Sequence, residues 1–176
     1  LTLDISKYMY DRLKELGVPV KLTRNSDVDL PASERTQRVL DQYGNGKDVI
    51  VISNHINAGG VEGAEVIYAL RNKDTLAKKI LDELEKQGQL VRKYYQRRLP
   101  SDYNKDYYYM LRNTPNTEAL IVEYLPNLNV LCIDIAVIIR TTVFYIDMVP
   151  FVVIFILYIS SYINFCSLIK NNQNLI

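Results

Sequence analysis

The chain has little of what usually marks a specialised sequence. It contains no tryptophan, one histidine, two cysteines and seven glycines in 176 residues, and its formal net charge is only +1. That near balance of charge gives no reason to expect nucleic-acid binding, which ordinarily shows as a strong basic excess. Cys132 and Cys166 have no CxxC spacing and both lie in an apolar stretch. They read as buried thiols, which excludes a cysteine zinc site or a disulfide framework and leaves the compartment open. No GxGxxG and no P-loop is present, so a doubly wound nucleotide-binding module lacks its phosphate loop. The only serine near the single histidine, His55, is Ser53, and nothing around them suggests a Ser-His-Asp triad. The first residue is Leu1 and a helix begins almost at once, so the chain reads as a fragment and the absence of a signal peptide carries no information.

What is present is an alternation of helices and strands. Ile5, Met9, Leu13 and Leu16 recur at helical spacing over residues 3–16, with Gly17 where a C-terminal cap belongs. Val18, Val20 and Leu22 alternate as a short strand. A second helix is expected from about Pro31 to Tyr43, stopped by Gly44-Asn45-Gly46. Val49-Ile50-Val51-Ile52 is a continuous apolar run, the mark of a strand buried on both faces, and it leads into a polar, then glycine-rich loop at Ser53–Gly60. Further strands are expected at Glu65–Tyr68, Tyr107–Leu111 and Ala119–Tyr124, with a helix carrying Leu76, Ile80, Leu81 and Leu84 and ending at Gly88. This order predicts an α/β domain: a single mixed, mostly parallel sheet flanked by helices.

The composition changes at Leu125, beyond which there is no glycine, and residues 148–169 carry no charge. As a helix that segment would measure about 33 Å, enough to cross a bilayer. Two readings stand: a C-terminal membrane anchor over 148–169, or out-of-frame translation of AT-rich DNA from residue 125 onward. The expected division is therefore a catalytic domain at 1–124 and a hydrophobic tail at 125–176.

Two residues carry the chemistry. His55 stands just past the C-terminal end of the best buried strand, where open α/β sheets place ligand sites. Glu123 closes the apolar run Ala119–Val122, so a carboxylate emerges at the end of another strand. If the two strands are parallel, an imidazole and a carboxylate converge on one sheet edge, an arrangement suited to a metal-activated water with a base beside it. Arg92, Lys93, Arg97 and Arg98, interleaved with Tyr94 and Tyr95, form a basic cluster. The reading preferred over a nucleic-acid surface is a solvated loop beside an aromatic strand, lining a cleft for an anionic, sugar-containing polymer.

Several motifs together resemble one enzyme family. Lys21-Leu22-Thr23-Arg24 with Asp27, Leu30 and Glu34-Arg35, then Val51-Ile52-Ser53-Asn54-His55-Ile56-Asn57-Ala58, are similar to the zinc-dependent N-acetylmuramoyl-L-alanine amidases, with Asn54 where Ile is usual. Gly63–Tyr68, Leu111–Thr114 and Leu120–Glu123 continue the resemblance in the family's order. The resemblance implies a zinc peptidoglycan hydrolase acting outside the cell or in its wall, with His55 a zinc ligand and Glu123 the general base. It further implies a histidine and a glutamate ligand upstream of Leu1, together with the sheet's first strand. On that reading the chain is a disabled amidase. The alternative is a metal-free remnant or a cell-wall-binding module.

Overall fold

The structure, a computed structural model, describes residues 2–57 and 62–125 together with the backbone of one strand at 152–157. Its elements are α1 (Thr2–Glu15), β1 (Val20–Leu22), α2 (Ala32–Tyr43), β2 (Val49–Ile56), β3 (Ala64–Tyr68) and α3 (Thr75–Lys86). They continue with β4 (Val91–Tyr95), β5 (Arg98–Leu99), β6 (Asp102–Asp106), α4 (Tyr109–Arg112), β7 (Glu118–Tyr124) and β8 (Val152–Leu157). Six strands form one sheet in the order β1-β8-β2-β7-β3-β4, and β5 and β6 pair separately. β1, β8, β2 and β7 are mutually parallel, β3 runs antiparallel to β7, and β4 follows β3. The mixed, mostly parallel α/β sheet matches the expectation.

Period-two burial divides the sheet into two packed faces. On one face Ile50, Ile52, Val66, Leu120, Val122 and Tyr124 meet Met9 and Leu13 of α1 and Leu76, Ile80 and Leu84 of α3. On the other, Val49, Val51, Ile67, Ala119 and Ile121 meet Val39 of α2 and Leu111 of α4. Burial on both faces is why the strands read as apolar runs rather than alternating ones. α1 ends as the sequence suggests. Gly17 sits at φ 74°, and the Val18 and Gly17 amides close back on the Leu13 and Lys14 carbonyls at 2.9 and 3.0 Å.

Three expectations need correction. β2 does not stop at Ile52 but continues to Ile56, so His55 lies within the strand and not in a loop. Burial of the polar Asn54 is tolerated because its amide donates to Ser6 Oγ at 2.7 Å and its carbonyl accepts from the Tyr124 hydroxyl at 3.0 Å. Tyr107–Leu111, expected as a strand from its tyrosines, holds the short helix α4. There the Arg112 guanidinium donates to the Asp106 and Tyr107 carbonyls and the Arg71 guanidinium to the Leu111 carbonyl, and these contacts override β propensity. Of the basic stretch expected as a loop, Arg92 and Lys93 lie on β4, paired with β3, and Arg98 lies on β5.

β1 and β2 do not pair with each other; β8, from the apolar tail, lies between them. The expected membrane span 148–169 lies outside the described residues except for 152–157, which are extended and not helical. The run Val-Val-Ile-Phe-Ile-Leu is β-branched and aromatic, which favours a strand. Among the described residues no helix is long and apolar enough to cross a membrane.

Candidate active site at the sheet edge

Parallel pairing of β2 with β7 sets His55 directly opposite Glu123. Both point to the sheet face that carries Val51 and Ile121, close to the edge where the two strands end. His55 Nδ1 lies 3.7 Å from Glu123 Oε1, and the two side chains are about equally and only partly exposed, at 19% and 18%. Ser53 Oγ is 2.8 Å from His55 Nε2. Burial, reinforced by the Arg35 guanidinium, lowers the His55 pKa to about 4. The imidazole is thus neutral at pH 7, the form a metal or a proton donor needs. Burial, with the Glu65 carboxylate adding to it, raises Glu123 to about 7. Between these two values both groups are uncharged, so the 3.7 Å approach is not an ion pair there. A carboxyl poised near neutrality is suited to accept a proton and return it.

Both residues singled out from sequence therefore meet. Three others come with them. Glu65, on β3, is the antiparallel partner of Glu123 and is buried. Arg92 Nη1 donates to Glu65 Oε1 at 2.5 Å. Arg35, near the start of α2, donates through Nε to the Leu30 carbonyl at 2.6 Å and through Nη2 to Asp29 at 2.9 Å, holding its charge by the site. In the sequence Glu65 is one acid opening an apolar strand, able to approach the site but not marked as a ligand; strand register sets it opposite Glu123. The remainder of the basic cluster is dispersed. Lys93 lies over the Tyr95 ring at 4.3 Å, Arg97 over Tyr107 at 3.8 Å, and Arg98 donates to the Tyr103 carbonyl at 2.6 Å.

A catalytic zinc takes about three protein ligands and keeps one open position. Among the described residues no three His, Cys, Asp or Glu side chains converge in a way that could hold a metal. His55 is the sole histidine, and the ionic partner of Glu65 is Arg92. The described residues therefore do not make a zinc site by themselves.

Residues 1–127 match the model of the N-acetylmuramoyl-L-alanine amidase family. Among solved structures, Cwp6 from Clostridium difficile is 27% identical with a TM-score of 0.57, covering 69% of this chain and 19% of its own. The amidase AmiC2 of Nostoc punctiforme is 22% identical with a TM-score of 0.52, covering 69% and 62%. The catalytic domain of the amidase CwlV from Bacillus (Paenibacillus) polymyxa var. colistinus is 18% identical with a TM-score of 0.49, covering 68% and 64%. The chain thus spans less than two thirds of each of these structures. No curated protein matches it.

Proposed function

The chain belongs to the N-acetylmuramoyl-L-alanine amidase family, and from that premise we propose that its domain hydrolyses the amide between the lactyl group of N-acetylmuramic acid and the L-alanine of the stem peptide. The observation that carries this reading is the meeting of His55 and Glu123 across β2 and β7, with Glu123 held near neutrality.

Glu123 does the proton work. As the carboxylate it takes a proton from water, whose oxygen then bonds to the lactyl carbonyl carbon. When the tetrahedral adduct collapses, the C–N bond breaks and Glu123 passes that proton to the leaving amine of L-alanine. Burial, with Arg35 adding to it, keeps His55 neutral, and Ser53 lies against the ring at Nε2. We assign His55 to zinc as one ligand; the further donors must come from residues beyond those described. The substrate is peptidoglycan, which puts the site of action in the cell wall or outside the cell.

This reading has two tests. Purified alone, the chain should bind zinc weakly or not at all by calorimetry; a stoichiometric, submicromolar site would show the ligands misassigned. With a histidine and a glutamate donor supplied by an N-terminal extension and zinc added, digestion of purified peptidoglycan should release peptides with new N-terminal L-alanine. Release of new reducing ends instead would mean a glycosidase and overturn the proposal. In the same extended protein His55→Ala should lose the metal.

A further inference from the structure

Arg92 is held at the catalytic edge by more than its ion pair. The register between β3 and β4 slips, with Ala64 opposite Val91 and Glu65 opposite Lys93, so Arg92 is the extra residue of a bulge. Bulges re-aim side chains, and this one directs Arg92 onto Glu65. Gly63 makes room for it: its φ of +119° disfavours any other residue, and a Cβ there would meet Arg92 Cβ at 3.0 Å. The carboxylate of Glu65 is buried, at 8% exposure, whereas the arginine side chain is 41% exposed. A guanidinium offers five N–H donors in a planar fork, so one carboxylate bound on the buried side leaves capacity for a second on the open side.

We infer that Arg92 is a substrate-binding residue that recognises a carboxylate of the stem peptide a few residues beyond the scissile amide. The inference rests on the amidase reading and adds a specificity subsite to it. β4 lies two strands from β7, roughly 10 Å at about 4.8 Å per strand. An extended peptide advances about 3.5 Å per residue, so a chain whose L-alanine amide is at Glu123 brings its second or third residue to Arg92. The fork matches a carboxylate in a bidentate manner and has no comparable match in a neutral sugar.

The test is direct binding by calorimetry to this chain, using N-acetylmuramoyl-L-alanyl-D-glutamate with its γ-carboxyl blocked as the methylamide, the same compound with its α-carboxyl also amidated, and N-acetylmuramic acid. The acidic dipeptide should bind at least about tenfold tighter than the amidated one, as loss of one charge-assisted pair implies. Arg92→Gln should bind the two alike, with Arg92→Lys intermediate. Because Arg92→Gln strands the buried Glu65, the double variant Arg92→Gln/Glu65→Gln provides a neutral pair that keeps the fold. It too should show no preference. Equal binding of acid and amide by the wild-type chain, or a preference surviving in the double variant, would overturn the assignment. N-acetylmuramic acid binding as tightly as the acidic dipeptide would assign the fork to the lactyl carboxylate and overturn the stem-peptide subsite. Failure of all three ligands to bind the wild-type chain would overturn the amidase reading itself.

Discussion

Two arginines, one on each flank of the sheet, meet opposite fates. Arg71, after β3, donates from Nε to the Thr117 carbonyl at 2.8 Å, from Nη1 to Leu111 at 2.7 Å and from Nη2 to Thr114 at 2.5 Å. It ties the loop before β7 to the turn after β3. Arg24, after β1, is buried more deeply, with 2% of its side chain exposed. Nη1 donates to the Val28 carbonyl at 2.8 Å and pairs with Asp27 Oδ1 at 3.3 Å, yet Nε and Nη2 have no hydrogen-bond partner among the described residues. Thr23 Oγ1 and Gln42 Oε1, beside it in sequence or packed under β1, are likewise buried and unmatched. The flank that carries Glu123 and Glu65 is anchored by this clamp, whereas on the β1 flank these polar groups have no partner among the described residues.

That contrast can be broken by substitution. Arg71→Met orphans three loop carbonyls and should destabilise the chain by about 2–4 kcal/mol in urea unfolding. A loss below 1 kcal/mol would show that the clamp is ornamental. A smaller effect is expected at Glu118, the first residue of β7. Burial raises its pKa to about 7 against the opposing pull of Arg71. A carboxyl raised in the folded state contributes stability that is fully present below its unfolded value of 4.5 and is lost as pH rises through 7. Glu118→Gln should therefore gain on the wild type across that window, by about 1–2 kcal/mol at pH 8 once partial exposure is allowed for. Parallel stability curves for the two proteins would contradict it. The smallest change is expected on the unsatisfied flank. Arg24→Met removes a buried guanidinium paired through Nη1 alone among the described residues and should stay within about 1 kcal/mol of wild type, or exceed it. A loss as large as that of Arg71→Met would erase the distinction.

How much of this was legible depended on where the information lies. β2 and β7 were readable because two-sided burial writes itself as Val-Ile-Val-Ile and Ala-Leu-Ile-Val, and His55 and Glu123 were found as the polar residues that follow such runs. β4 was missed because it carries Arg92 and Lys93 and is partly exposed, so it has neither a continuous apolar run nor a clean alternation. Tyr107–Leu111 misled because aromatic β propensity yielded to the carbonyl bonds of Arg112. The Glu65–Arg92 pair was invisible as a unit, since it exists only through a bulge between two strands distant in sequence.

The central claim is that Glu123 carries the proton in amide hydrolysis while His55 serves the metal. The most direct measurement compares wild type with Glu123→Gln in the extended, zinc-loaded protein, recording both zinc content and release of L-alanine-terminated peptides from peptidoglycan. The account predicts that the variant keeps its zinc and loses about 10²–10⁴-fold in turnover, the usual contribution of a positioned general base. Full turnover in Glu123→Gln would contradict it.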